Sequence, residues 1–208
     1  MSIPAETAVI LRDLTLTYER HPAVHHLSGA LARGSLTAIV GPNRAGKSTL
    51  LKRIVGQMRP AEGAIERADL GRVGIGYLPQ HAEIERRFPI SVIDTVLLGH
   101  WRRIGWAAAA TETMREAARR ALAAVGLDGF ERRPIETLSA GQFQRVLFAR
   151  LIVQDAELIL LDEPFAAFDW RTSEDLLHLV EYWHRSAGRS PPCCTTSIRS
   201  ERTSSTPC

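Results

Sequence analysis

The segment at residues 41–49 has the pattern best suited to binding a chain of phosphates. It reads GPNRAGKST and matches the GxxxxGK[ST] loop at every fixed position. Glycines allow backbone N–H groups to wrap around phosphates, and a following helix adds the positive end of its dipole. Lys47 could reach the β- and γ-phosphates, and Ser48 could offer its hydroxyl to Mg²⁺. The residues predicted to contact the nucleotide are Gly41, Pro42, Asn43, Arg44, Ala45, Gly46, Lys47, Ser48 and Thr49.

Two acids follow an apolar run later in the chain, in LILLDE at 158–163. Open α/β sheets bind their ligands at the carboxyl ends of the strands, where these acids would lie. Asp162 would hold Mg²⁺, directly or through water, and Glu163 would orient and deprotonate an attacking water. A strand that ends in a charged turn is common, but its combination with the loop at 41–49 favours catalysis. We therefore expect ATP and Mg²⁺ as ligands.

These residues need a sheet and helices to position them. A glycine turn can match the loop pattern by chance, but here SLTAIVG at 35–41 favours a buried strand before it, and residues 47–55 have helical spacing after it. Alternating strands and helices predict an α/β fold with a parallel sheet. Further strands are predicted at 8–18, 71–80 and 157–161, and helices at 111–125, 142–153 and 172–183. The apolar face predicted for the first of these helices is Met114, Ala118, Leu122 and Val125.

The segment LSAGQ at 138–142 resembles the LSGGQ signature of ATP-binding-cassette (ABC) proteins, and it precedes the acid-ended strand as it does in that family. The resemblance extends over about 8–185. It implies a P-loop NTPase fold: a RecA-like parallel-sheet core, an N-terminal β-subdomain and a helical ABC subdomain. We place the ABC ATPase domain at 1–188 and its helical subdomain at about 90–152.

The resemblance also implies roles for individual residues. Tyr18 resembles the aromatic residue that stacks on adenine. Gln80 resembles the Q-loop glutamine, which contacts Mg²⁺ and the attacking water, so Gln80 joins Glu163 and Lys47 as a predicted catalytic residue and Ser48 and Asp162 as a predicted metal ligand. Simpler alternatives are a strand end for Tyr18 and a polar turn for Gln80.

The signature residues Ser139, Gly141 and Gln142 resemble those that bind the γ-phosphate of ATP held by the opposite subunit. Asp169 resembles the family's aspartate at the dimer interface, although it could simply cap a helix. The resemblance thus implies a head-to-tail dimer, a homodimer in the simplest case, in which two subunits share each ATP.

Two further segments, FPISVIDTVLLG at 88–99 and EPFAAFD at 163–169, resemble zinc and manganese uptake ATPases. They imply an ATPase subunit of a divalent-metal importer, with transmembrane permease subunits as partners and a periplasmic or extracellular solute-binding protein acting indirectly. The sequence has no apolar run of roughly 18–20 residues and no secretory signal pattern. We therefore expect a cytoplasmic chain attached to the inner face of the cell membrane through the permease.

The charge distribution argues against a nucleic-acid partner. Residues 189–208 contain three arginines and one acid and so supply +2 of the net charge of +3, which leaves the rest of the chain nearly neutral. Soluble cassette proteins that act on ribosomes or DNA usually carry two cassettes or a long coiled-coil insert, and this sequence has neither. All three cysteines also lie in 189–208, which excludes a disulfide framework.

Two positions differ from the family pattern within the motifs. Arg44 stands where the family usually has glycine, and we expect nucleotide binding to survive this change. Ala140 replaces the first signature glycine, and its methyl group near a bound phosphate could slow dimer closure.

The largest difference is at the C-terminal end. The family has a switch histidine after the strand that follows the acids, whereas residues 189–208 contain none and no apolar strand pattern. We expect an aberrant, disordered tail there and an incomplete end to the fold. A shifted reading frame, starting across the codons of Pro192 and Cys193, would permit V-L-H-D-L-D, with histidine at Thr195. The chain as written should bind ATP better than it hydrolyses it; the alternative function is an ATP-binding, dimerising cassette with little or no hydrolysis.

Overall fold

Seven strands and five α-helices make up the part of the chain that the computed structural model describes, which is residues 4, 6–18, 21–42, 45–58, 62–70, 74–80, 88–105, 109–163 and 193–199. For residues 17, 18, 21–23, 36 and 193–199 only the backbone is described. The strands are β1 Thr7–Tyr18, β2 His21–Ala32, β3 Leu36–Gly41, β4 Glu62–Arg67, β5 Ile75–Leu78, β6 Leu158–Asp162 and β7 Cys193–Arg199. The helices are α1 Lys47–Val55, α2 Val92–Leu97, α3 Trp101–Ile104, α4 Glu112–Ala124 and α5 Ala140–Gln154, with a 3-10 turn, Leu98–His100, between α2 and α3.

A parallel sheet with the strand order β3-β7-β6-β5 forms one layer of the fold. Its parallel pairing places the carboxyl ends of β3, β5 and β6 at the same edge, so the phosphate loop, Gln80 and the two acids lie at that edge. The α/β fold with a parallel sheet, predicted from the sequence, is confirmed.

The strand β6 is buried on both faces, which explains its uninterrupted apolar sequence. Leu158 and Leu160 belong to a hydrophobic cluster with α1 and β1, whereas Ile159 and Leu161 belong to a cluster with α2, α4 and α5. All four side chains are at most 2% exposed. The strand that ends in Asp162 is therefore held between two hydrophobic layers.

The second sheet is antiparallel, has the order β2-β1-β4 and corresponds to the predicted N-terminal β-subdomain. Our prediction identified β1 but neither of its neighbours. β2 contains Pro22 and Gly29 and lacks an alternating pattern, and β4 is short, with Gly63 at a φ of 79°. Both strands form because β1 supplies hydrogen-bonding partners along each of its edges.

The helices α2, α4 and α5 pack together around one hydrophobic cluster. The apolar face predicted for α4 is confirmed, since Ala118 and Leu122 are fully buried and Met114 packs against the cluster. The helix begins after Thr111, whose side chain caps it by accepting from the backbone N–H of Met114. The boundaries of the domain at 1–188 and of the helical subdomain at about 90–152 stay predictions. None of the helices described is long and apolar enough to cross a membrane.

The segment Cys193–Arg199 corrects the prediction of a disordered tail without a strand. It forms β7, which lies between β3 and β6 and pairs in parallel with both. A segment in this position can hydrogen-bond along both edges, and Thr195, Thr196 and Ile198 are β-branched residues that favour strands. A strand that pairs with neighbours along both edges therefore does not need a continuous apolar run. The rest of the predicted tail, 189–192 and 200–208, and the helix predicted at 172–183 lie outside the described residues.

Candidate functional site

The phosphate loop places Lys47 at the start of α1. Gly46 precedes it with a φ of 80°, a left-handed conformation that glycine adopts without steric cost. Lys47 is 7% exposed, and its Nζ atom donates to the backbone oxygens of Gly41, at 2.9 Å, and Pro42, at 3.1 Å. The ammonium group of the predicted phosphate-binding lysine is thus turned back onto its own loop.

The neighbouring residues of the loop are only partly described. The backbone N–H of Ala45 donates to the oxygen of Pro42 at 3.2 Å, which closes a tight turn. Ser48 and Thr49 lie in the first turn of α1 and are half-buried. Asn43 and Arg44 lie outside the described residues, so the effect of arginine at position 44 stays a prediction.

The two acids occupy contrasting positions at the end of β6. Asp162 is the last residue of the strand and is 1% exposed. Glu163 follows it with a φ of 45°, a left-handed conformation that costs a non-glycine residue about 1 kcal/mol. This backbone turn brings one carboxylate oxygen of Glu163, Oε1, to 3.9 Å from Nζ of Lys47.

Gln80 completes this group. It lies just after β5, which pairs with β6, and its Nε2 atom donates to Oε2 of Glu163 at 2.8 Å. Three predicted catalytic residues, Lys47, Gln80 and Glu163, therefore meet at one edge of the parallel sheet. Asp162 lies beside them in the chain.

The signature residues form a separate cluster at the amino end of α5. Ser139 is the N-cap residue, and Ala140 begins the helix. The backbone N–H of Gln142 donates to Oγ of Ser139 at 3.2 Å, and the backbone N–H of Ser139 donates to Oε1 of Gln142 at 3.0 Å. This reciprocal pair is a capping box, with Gly141 between its two members.

Two predicted roles fall where side chains are not described. Tyr18 ends β1, but only its backbone is described, so its contact with adenine stays a prediction. Asp169 lies outside the described residues altogether.

Sequence reasoning missed Arg67, which supports the phosphate-loop helix from the other sheet. Its Nε atom donates to the backbone oxygen of Ile54 at 2.6 Å, and its Nη2 atom donates to that of Arg53 at 2.8 Å. These carbonyls belong to the last turn of α1, where a cation also interacts favourably with the helix dipole. No local signal marks this contact, because the fold alone brings β4 to the end of α1.

The chemistry of the donors fits Mg²⁺. Ser48 offers a hydroxyl, Asp162 a carboxylate and Gln80 an amide oxygen, all hard oxygen ligands of the kind Mg²⁺ prefers. The described residues contain no group of three or more His, Cys, Asp and Glu side chains that could hold a metal ion. A Mg²⁺ ion at this edge would therefore depend on nucleotide phosphates and water for its remaining ligands, as is usual for this ion.

Comparison with known proteins identifies the family. The ABC transporter family model matches residues 24–166. The chain belongs to the ABC transporter ATPase family. Its fold class, predicted from the sequence as a P-loop NTPase cassette with a parallel-sheet core, is confirmed.

Relatives of the cassette include ATP-binding proteins of metal transport systems. The manganese transport system ATP-binding protein MntB of Listeria monocytogenes is 42% identical over 171 residues, which cover 80% of this chain and 71% of MntB. The zinc transport system ATP-binding protein TroB of Treponema pallidum is 38% identical and is matched over 84% of this chain and 67% of TroB. The predicted resemblance to the zinc and manganese branch is confirmed.

Solved structures of ABC transporters share the fold of the cassette. An inward-facing metal-chelate type ABC transporter is 32% identical, with a TM-score of 0.78 over 93% of this chain and 73% of that chain. A bacterial ABC transporter cassette solved as a dimer has a TM-score of 0.78 at 24% identity and covers 92% of this chain and 88% of that chain. The second likeness concerns the fold alone.

Proposed function

We propose that the cassette binds Mg-ATP at the loop 41–49 and hydrolyses it to drive the import of a divalent metal ion, manganese or zinc. One observation carries the catalytic part: the carboxylate of Glu163 lies 3.9 Å from Nζ of Lys47 and accepts a hydrogen bond from Gln80 at 2.8 Å. A cation for phosphate, a base for water and an amide that orients the base therefore meet at one sheet edge.

Binding of ATP would begin with Lys47. Its ammonium now donates to two neutral carbonyl oxygens, and it would exchange these bonds for stronger, charge-assisted bonds to the β- and γ-phosphates. The backbone N–H groups of the loop and the amino end of α1 would surround the same phosphates. When bound, Mg²⁺ neutralises negative charge on the phosphate oxygens, and Ser48, Gln80 and Asp162 would hold it.

Hydrolysis would then depend on Glu163. Its carboxylate would accept a proton from the water that attacks the γ-phosphorus, while the bond to the β-phosphate oxygen breaks and yields ADP and phosphate. The amide of Gln80 would hold Oε2 of Glu163 and so limit the rotation of the carboxylate that activates the water. Lys47 would stabilise the charge that develops on the phosphate oxygens.

We further propose a head-to-tail homodimer in which Ser139 and Gly141 of the signature segment contact the γ-phosphate of ATP bound by the other subunit, and Tyr18 stacks on adenine. The arrangement is inferred from the resemblance of the signature segment to that of ABC proteins; a bacterial cassette with a similar fold was solved as a dimer. ATP would join the two subunits, and hydrolysis would release them. Permease subunits would convert this cycle into transport at the inner face of the cell membrane, with a solute-binding protein acting indirectly.

The substrate metal is inferred from the relatives. MntB and TroB are named as manganese and zinc transport proteins, and they are 42% and 38% identical to the cassette. The metal would pass through the other subunits.

A second candidate function is that of a cassette that dimerises on ATP with little or no hydrolysis. It is favoured by the sequence of residues 189–208, which contains no histidine where the family pattern has its switch residue. Loss of a group that polarises the γ-phosphate and water would slow the chemical step while leaving the binding loop intact.

Parallel measurements of ATP hydrolysis and of ATP-driven dimerisation separate the two functions. Turnover that is lost in Glu163→Gln, with dimerisation retained in that variant, is the result expected for the ATPase. Dimerisation of the wild-type protein without turnover supports the second candidate. A protein that neither dimerises nor hydrolyses ATP would contradict both.

A further inference from the structure

We propose that Gln142 is a positioning residue, which acts on the shared nucleotide through Ser139. The inference rests on the proposed function, in which the signature segment of one cassette contacts ATP bound by the other. It departs from the role predicted for Gln142 from the family resemblance, that of a direct phosphate contact.

The hydrogen bonds of the capping box assign different tasks to its two side chains. Oε1 of Gln142 accepts from the backbone N–H of Ser139 at 3.0 Å, so the acceptor of this carboxamide is directed back toward the N-cap residue. Oγ of Ser139 accepts from the backbone N–H of Gln142 at 3.2 Å. A hydroxyl can accept one hydrogen bond and still donate its own hydrogen, so Ser139 keeps a donor for phosphate.

The donors that face an incoming phosphate belong to the start of α5. The first N–H groups of a helix have no acceptor within it, and here they belong to Ala140 and Gly141. Together with the hydroxyl of Ser139 they form a group of anion-binding donors at the positive end of a 15-residue helix. Their common geometry depends on the extended backbone of Ser139, at φ −64° and ψ 164°. Gln142 holds this backbone by accepting its N–H.

Loss of the carboxamide would therefore release Ser139 and leave its N–H without its present acceptor. The donor group would have to be ordered anew each time the dimer closes, and the cost of ordering would appear as weaker ATP-driven dimerisation. Glutamate should replace Gln142 in this task, because glutamate is an established partner at this position of a capping box. A direct phosphate contact predicts the opposite, because a carboxylate would repel phosphate and cannot donate.

The helix α4 offers a matched control. Thr111 caps it by accepting from the backbone N–H of Met114 at 3.3 Å, which is a single capping hydrogen bond outside the signature segment. Thr111→Ala should therefore reduce thermal stability much as Gln142→Ala does, without affecting the signature donors.

The test uses the full chain in a Glu163→Gln background, so that hydrolysis does not consume the ATP. Sedimentation measures the ATP concentration that gives half-maximal dimerisation, and thermal melting is measured alongside. We expect Gln142→Ala to raise that concentration roughly tenfold, and Gln142→Glu to return it to within about threefold of the parent. Thr111→Ala should lower the melting temperature and leave the concentration unchanged.

Two outcomes would overturn the positioning role of Gln142 and leave the proposed dimer intact. Dimerisation of Gln142→Glu that is as weak as that of Gln142→Ala, or weaker, would contradict the positioning role of Gln142. Equal weakening by Thr111→Ala would show that the effect arises from general helix stability. Failure of the parent protein to dimerise at any ATP concentration would instead refute the proposed dimer, and the inference with it.

Discussion

The Nε2 atom of Gln80 donates to Oε2 of Glu163 across 2.8 Å, although the two residues lie 83 positions apart in the chain. The register of the parallel sheet accounts for the contact. Leu78 is paired with Leu161 at the ends of β5 and β6, and Gln80 and Glu163 each lie two residues further along. The carboxylate that would activate water is therefore oriented by the neighbouring strand rather than by its own.

Replacement of Gln80 by alanine should slow hydrolysis more than it weakens binding. Without the amide, the carboxylate of Glu163 can rotate away from the water, so we expect kcat to fall by roughly 10- to 100-fold, with the KM for ATP changed by less than about threefold. Steady-state assays over a range of ATP concentrations measure both constants. An unchanged kcat would show that Gln80 does not orient the base.

Replacement of Arg67 by alanine should destabilise the protein through α1. Two hydrogen bonds to the last turn of this helix would be lost, at a cost of about 1–2 kcal/mol in the free energy of unfolding. Arg12→Ala is the control, because it removes the ion pair with Glu66 on the same sheet, and pairs that are accessible to solvent contribute little to stability. Denaturant unfolding that ranks Arg12→Ala as the more damaging change would refute this role for Arg67.

His100 should make the stability of the protein depend on pH. Burial lowers the pKa of His100, and nearby Arg103 lowers it further, while Asp155 opposes the shift. The side chain is 5% exposed, and neither ring nitrogen has a hydrogen-bond partner in the part of the chain that is described. Folding therefore favours the neutral ring. The unfolded chain binds more protons once the pH falls below about 6.5, and stability declines from there through the lower folded pKa.

The variant His100→Leu tests this expectation. Leucine cannot be protonated and removes two buried nitrogens without partners, so we expect it to be at least as stable as the wild type at pH 7.5 and to lose less stability on acidification to pH 5.5. The free energy of unfolding at the two pH values, measured with urea, gives the comparison. Equal losses in both proteins would exclude His100 as the titrating group.

Motifs and apolar runs allowed much of the site to be predicted from the sequence. The spacing of 41–49 and the acids after β6 indicated a nucleotide site because phosphate binding restricts which residue types can occupy these positions. β6 could be predicted because burial on both faces requires a continuous apolar run. The strand β7 was missed because its position between two strands stabilises a polar segment that has no such pattern.

Contacts between distant segments could not be predicted in the same way. The capping box of Ser139 and Gln142 follows a local pattern, S-x-x-Q, that is visible in the sequence. The contact of Arg67 with α1 and the left-handed backbone of Glu163 arise only when separate elements pack together. Sequence reasoning therefore predicts candidate site residues more readily than the residues that hold them in place.

Titration of the purified protein with ATP in the presence of Mg²⁺ tests the central claim most directly, with Lys47→Ala compared in parallel. We propose that the ammonium of Lys47 contacts the β- and γ-phosphates, so we expect saturable binding by the wild type and at least about tenfold weaker binding by Lys47→Ala. Circular dichroism confirms that both proteins are folded. Folded wild-type protein without affinity for Mg-ATP, or a Lys47→Ala variant that binds equally well, would contradict a nucleotide site at 41–49.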